Sequence, residues 1–259
     1  MKNKIDLSSV SPYQRQLLQE LSDRGVRLDF LDRTDVIVAE KNKQRLFFID
    51  EYTPLVPHNI GLILTNRVLV DSVLKANGIK TSDCRAYINQ ESLTGDSVNF
   101  SFPLMIGSTD IYRPLLHIRI NSVEDIYRFS KVGKDHSLLV VNEKIWKYKL
   151  SLYYDRDGFF NALCSWPQGV DEPGEIRDVT RATHKTLKEL AGAVLASLPG
   201  LTAVSFTVNI DGFDKKIRDY AVETILHTCG YHYQYNAVKN NKKTKVKDLA
   251  AKYLLAKIK

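Results

Sequence analysis

The densest group of side chains able to do chemistry is His227, Cys229 and His232, in HTCGYHYQY. A structural zinc site wants a fourth ligand at matched spacing, and no second Cys/His cluster exists in the sequence. A turn with aromatic packing is the plainer reading of this stretch. Cys164 lies in NALCSWPQG, between Leu163 and Trp166. A nucleophilic cysteine needs a base and an electropositive setting. His184 is the nearest histidine in sequence, which says nothing about contact, so Cys164 reads as a buried structural thiol. The chain contains no G-x-S-x-G, no P-loop, no dinucleotide-binding glycine fingerprint and no H-E-x-x-H.

Charge is the next feature. The net charge is +7 over 259 residues. Eight lysines and one acid, Asp248, fall in residues 239–259, and the rest of the chain holds 29 basic and 29 acidic side chains. The basic balance therefore belongs to a tail, and a basic surface over the whole body is not implied. A soluble, solvated face is the ordinary reading of such a run. Binding to an acidic protein, an anionic substrate or nucleic acid through 239–259 is the functional one. No apolar run is long enough to span a membrane, and the N-terminus has no apolar core of a secretory signal. Cys84, Cys164 and Cys229 are odd in number and widely spaced, which points to a reducing compartment and a cytoplasmic location.

These residues must be positioned by a mixed framework. SPYQRQLLQELSDRG reads as a helix with Ser11 as cap, Pro12 at its first position and Gly25 as its stop. Val26, Leu28 and Phe30 alternate, as do Val36 and Val38, and LFFI is a short buried strand. A helix begins at Asn59 or Thr65 and ends at Asn77-Gly78. Residues 86–120 read as strands and turns, including FPLMIGSTDIYRPLLHIRI. A helix follows over SVEDIYRFSKVG, then three strands with a hairpin turn at Asp157-Gly158. VTRATHKTLKELAGAVLASLPG is the clearest helix, LTAVSFTVNIDGF is a strand, and KIRDYAVETILH fits either. Residues 244–258 form an amphipathic helix. With 44% hydrophobic residues the chain can bury one large core or two to three smaller ones. The order of elements is α+β with more than one sheet.

At GVRLDFLDRTDVIVAE and LILTNRVLVDSVLKANGIKTSDCRAY the chain resembles the ATP-grasp carboxylate–amine ligases. Within them it is most like the branch of cyanophycin synthetase and the ATP-grasp half of bifunctional glutathione synthetase. Arg24-Gly25-Val26 and Leu31-Asp32 match an "rGi" turn and the following "vlD". Leu64 to Asp83 matches a helix-and-turn segment in length and apolar positions. LPGLTAVSFTVNIDGF and YAVETILHTCGY resemble the "G-v-D-i" and "E-x-N" strands. The resemblance spans nearly the whole chain and rests on order and apolar framework.

What it implies is an ATP-grasp-like fold in three parts: a small N-terminal α/β subdomain over 1–60, a central strand-rich lid subdomain over 61–145, and a C-terminal mixed α/β subdomain over 146–259. The chemistry implied is phosphorylation of a carboxylate by ATP and attack by an amine, with cations on the phosphates, magnesium on carboxylates and a glycine-rich lid loop. The first phosphate lysine falls at Arg67 and the second at Gly107. The lid loop falls at Thr109 to Leu116, without glycine. The acidic pair beside the adenine falls at Val141 and Asn142, the magnesium aspartate at Thr207, and the "E-x-N" pair at Glu223 and Ile225. Asn209, Asp211 or Asp214 are nearby replacements for a missing ligand. The resemblance leaves Arg67 and Arg113 as candidate phosphate contacts, and Glu223 and Asp211 as candidate magnesium ligands. ATP and magnesium are the cofactors if activity is retained. Three functions follow: a pseudo-ligase that binds a partner protein, a second copy of itself, or a peptide, amino-acid or nucleotide-like ligand; a divergent active ligase; and a basic nucleic-acid-binding or scaffold protein.

Overall fold

The computed structural model describes residues 6–8, 10, 12–31, 36–49, 54–82, 84–88, 90–96, 99–109, 118–129, 138–142, 146–165, 176–226 and 246–257. Helix α1 (Pro12–Asp23) starts on its proline, where a missing N–H is no loss. It buries Leu17, Leu18 and Leu21 on one stripe. Strands β1 (Arg27–Phe30), β2 (Ile37–Lys41) and β3 (Gln44–Phe48) form an antiparallel meander whose Ile37, Ala39 and Phe48 close on that stripe.

The sequence pattern suggests a single helix beginning at Asn59 or Thr65. The structure has two, α2 (His58–Thr65) and α3 (Arg67–Ala76). The break is Asn66, whose backbone is extended and whose side-chain oxygen accepts from Val68 N at 2.9 Å and Leu69 N at 3.3 Å. A local cap thus outcompetes a continuous helix. Helix α3 stops at Asn77, and Gly78 takes the left-handed conformation, φ +73°, that favours glycine there.

A four-stranded antiparallel sheet follows, in order β4 (Cys84–Tyr87), β7 (Leu138–Asn142), β5 (Leu104–Ser108), β6 (Ile118–Ile120). Helices α4 (Gln90–Asp96) and α5 (Val123–Phe129) lie within this stretch. Helix α4 departs from the expectation of strands and turns. Leu93 is fully buried under the sheet, and Asp96 accepts from Tyr87 Oη at 2.5 Å. Tertiary contacts therefore decide a segment whose local pattern is weak.

The largest unit is a five-stranded antiparallel sheet in order β10 (Arg177–Asp178), β9 (Phe160–Ser165), β8 (Tyr148–Asp155), β11 (Ala203–Ile210), β12 (Tyr220–Leu226). KIRDYAVETILH therefore contains a strand, fixed by the pairing of Val222 with Val208. Helix α6 (Lys185–Ala196), with Leu187, Leu190 and Val194, packs on one face of this sheet beside α2 and α3. No helix among the described residues is long and apolar enough to cross a membrane.

The last helix, α7 (Val246–Lys257), packs against α1 and buries Ala251 and Leu254 in the N-terminal core. Its other contacts reach the β8–β9 hairpin. Lys252 pairs with Asp157 at 3.3 Å, and Lys257 Nζ donates to Pro54 O at 2.6 Å. Asp155 is fully buried where this helix meets the hairpin, and its Oδ1 accepts from Phe159 N at 2.9 Å. Burial, with Asp157 adding like charge, pushes the Asp155 carboxyl above the ordinary value of 3.8. A raised folded-state pKa means that the folded chain binds this proton more tightly than the unfolded chain does. The stability due to Asp155 is therefore present below the unfolded value and falls as pH rises through the raised one. Asp155→Asn keeps the acceptor for Phe159 N and removes the buried charge. Thermal melts are expected to place this variant above the parent at about pH 7, with the difference vanishing towards about pH 4.

Candidate functional site

The five-stranded sheet has two unlike faces. On β11 the side chains of Val204, Phe206, Val208 and Ile210 enter the main core, together with Leu150 and Leu152 of β8. The alternate residues Ser205, Thr207 and Asn209 point to the other face. There Lys149 lies beside Asn209, Ser151 beside Thr207 and Tyr153 beside Ser205. All of β11 is buried, so this polar row is buried too. Ser205 Oγ and Asn209 Oδ1 have no hydrogen-bond partner among the described residues.

Glu223 joins this row through an irregularity. Pairing of β11 with β12 shifts between Thr207 and Val208, from Thr224 to Val222, which makes Glu223 the extra residue. Its Oε2 lies 2.5 Å from Lys149 Nζ and accepts from Thr207 Oγ1 at 3.5 Å. The lysine reaches across β11 to do this.

Arg67 opens α3, and its N–H donates to Thr109 O at 3.0 Å, tying α3 to the end of β5. Arg67, Asp71, Cys84 and Glu223 line one narrow cleft of about 10 Å³, room for about one water. Asp71 is held by Lys75 at 2.8 Å and by the Thr81 hydroxyl. Burial, and then the Asp71 charge, pushes the Cys84 thiol up to about 11, so it is an inert wall at neutral pH. In the four-stranded sheet Leu104 and Ile106 face the local core, which leaves Met105 and Gly107 on the face that carries Val141 and Cys84. At Gly107 that face of the sheet has no side chain. A larger cavity of about 560 Å³ adjoins, sharing Thr81 and Ser82 and lined also by Lys80, Trp146 and Tyr220.

The structure brings Arg67 and Glu223 to one cleft. Asp211 follows the last residue of β11, and its Oδ1 accepts from Lys147 N at 3.4 Å. Glu223 lies three residues along β12 from Tyr220, the partner of Ile210, so about 10 Å of strand separates Asp211 and Glu223. Asp214 is exposed. Arg113, His227, Cys229 and His232 lie outside the described residues, as do 239–245 of the lysine-rich segment. Cys164 is buried in the main core, and burial pushes its thiol up to about 11. His184 caps α6, with Nδ1 accepting from Thr186 N at 3.3 Å. Sequence reasoning passed over Lys149. The one available signal was alternation: YKLSLYYD and AVSFTVNI both place a polar residue at every second position of a strand pair rich in apolar residues.

Comparison with solved structures finds a similar fold elsewhere. The ATP-grasp ligase PsnB complexed with minimal precursor superposes with TM-score 0.61 at 9% identity, over 96% of this chain and 97% of PsnB. The macrocyclase MdnC from Microcystis aeruginosa MRC, bound with precursor peptide MdnA, gives 0.56 at 10% identity over the same shares. This chain has the ATP-grasp fold. A bifunctional glutathione synthetase from Pasteurella multocida gives 0.53 at 11% identity over 84% of this chain. Of that enzyme's length this chain spans 40%. No protein-family profile and no curated protein sequence matches.

An ATP-grasp fold implies ATP and magnesium, and the cleft can be tested for the metal. Magnesium wants an octahedral shell of oxygens, with one or two carboxylates beside phosphates and waters. Here the Glu223 carboxylate already contacts an ammonium, its neighbour Thr207 is neutral, and Asp211 stands apart. Among the described residues no three His, Cys, Asp or Glu side chains come together. The described carboxylates alone do not make up a magnesium shell.

The two faces of β11 should answer differently to truncation. Phe206→Ala removes a fully buried ring and is expected to cost about 3–5 kcal/mol. Ser205→Ala removes a hydroxyl with no partner among the described residues and is expected to be neutral or to stabilise by up to about 1 kcal/mol. Urea unfolding of the two variants measures both values.

Proposed function

We propose that this chain is a pseudo-ligase: an ATP-grasp fold that acts by binding a peptide, a partner protein or a nucleotide-like ligand in its cleft, and forms no acyl phosphate. The observation that carries the reading is the contact of Lys149 with Glu223. Phosphoryl transfer needs cations that bridge and neutralise the phosphate oxygens as charge develops. With Glu223 neutralised by an ammonium and Thr207 uncharged, the cleft does not hold a metal where that step would need one. Gly107 removes a further cation from the position that the resemblance assigns to a phosphate lysine. A peptide is the favoured ligand class. PsnB and MdnC, which superpose over nearly the whole of this chain, were captured with a minimal precursor and a precursor peptide.

A divergent active ligase is the second reading, and Asn209 favours it. Its buried Oδ1 has no donor among the described residues, so a bound ligand or water would satisfy it. Phosphate release from ATP with magnesium separates the two. The pseudo-ligase reading expects no release above that of Glu223→Gln. Turnover by the parent chain that Glu223→Gln abolishes would establish the ligase instead.

A further inference from the structure

We infer that the junction of helix α7 with the β8–β9 hairpin is a proton-sensitive clasp, closed while the Asp155 carboxyl is neutral and opened when it ionises. The inference goes beyond the reading above and does not depend on it, because the clasp lies at the end of the polar sheet face remote from Glu223.

Side chains alternate along a strand, so Lys149, Ser151, Tyr153 and Asp155 share one face of β8. Six residues of strand, about 20 Å, separate the two ends of this row. The Lys149 end meets Glu223. The Asp155 end meets Tyr253 of α7, whose hydroxyl is pushed up in pKa by burial and then by the Asp155 charge.

Helix α7 serves two units. Ala251 and Leu254 are buried in the N-terminal core. Its hold on the hairpin is polar. Lys252 meets Asp157 at 3.3 Å, but the two side chains are 64% and 57% exposed, so this bridge contributes little. Asp155 is different, because it has no exposed surface. Its Oδ1 accepts from Phe159 N at 2.9 Å. Its Oδ2 is buried with no hydrogen bond of ordinary geometry to a described residue, and so is the Tyr253 hydroxyl oxygen.

The groups around Asp155 do not compensate a negative charge there. Its own strand brings Tyr153, and the turn brings Asp157, a like charge. Arg156, next in sequence, is exposed. Helix α7 brings Tyr253 and Lys252, and the lysine lies on Asp157. Ala203, its partner on β11, and Phe159 bring no charge. Among the described residues no cation pairs with Asp155. A buried carboxyl in this setting stays neutral, or its charge drives it towards water. Tyr153, Ala203 and Phe159 are walls of the sheet and its hairpin, so water reaches Asp155 when α7 lifts away. Opening then carries the N-terminal unit with the helix and uncovers the polar row from its Asp155 end. The folded-state value lies above 3.8, so the clasp is firm below that pH and loosens as pH rises through the raised value.

Hydrogen exchange of the full chain, read by mass spectrometry from about pH 4 to about pH 8 and corrected for the intrinsic rate, tests this. Helix α6 is the internal reference. Protection of α7 and of the β8–β9 hairpin, relative to α6, is expected to fall by about threefold or more as pH rises. The slope should not exceed about tenfold per pH unit, that of one proton. Asp155→Asn is expected to abolish this dependence and stay protected at about pH 8. Lys252→Met removes only the exposed bridge and is expected to leave the dependence in place. A parent ratio that stays flat with pH overturns the inference, whether or not the variants fold. So does a folded Asp155→Asn that keeps the parent's dependence.

Discussion

The two-sidedness of β11 is the constraint on which the rest depends. Val204, Phe206, Val208 and Ile210 anchor the main core, so the register of the strand is fixed. A slip of one residue would drive Ser205, Thr207 and Asn209 into that core. Because the apolar row is fixed, the polar row is held on the opposite face, along with Lys149 and Ser151 from β8. Packing energy on one face thus pre-organises a polar surface on the other. The shift of pairing at Thr207 and Val208 then adds one carboxylate to it at Glu223.

The cleft follows from how neighbouring elements meet this face. The Asn66 cap ends α2, starts α3 and brings Arg67 to the mouth. The hydrogen bond from Arg67 N to Thr109 O joins α3 to the four-stranded sheet, which supplies Cys84. Helix α7 crosses from the N-terminal core to the β8–β9 hairpin, and two of its lysines are engaged there and at Pro54. A basic helix of this kind contributes apolar packing first, through Ala251 and Leu254.

Much of this was legible in the sequence, for identifiable reasons. Asn77-Gly78 and Asp157-Gly158 mark their turns because left-handed backbone favours glycine, and Gly78 and Gly158 both have positive φ. The apolar alternation in AVSFTVNI was visible, and so was the order of elements that resembles ATP-grasp proteins. Other features were hidden. The helix α4 depends on Leu93 finding a core made by strands elsewhere in the chain. The Lys149–Glu223 pair joins two strands that are neighbours only through a third, so neither residue carries a local sign of the other. Glu223 stood out by likeness to a known strand motif. Lys149 did not, because a lysine in a strand reads as an ordinary solvated side chain.

The central claim is that the fold keeps the cleft and replaces its metal with a side chain. A crystal structure of the chain with a non-hydrolysable ATP analogue and magnesium tests it most directly. The account predicts the Lys149 ammonium still on Glu223 and no metal there. A magnesium ion coordinated by Glu223, with Lys149 displaced from it, would contradict the account.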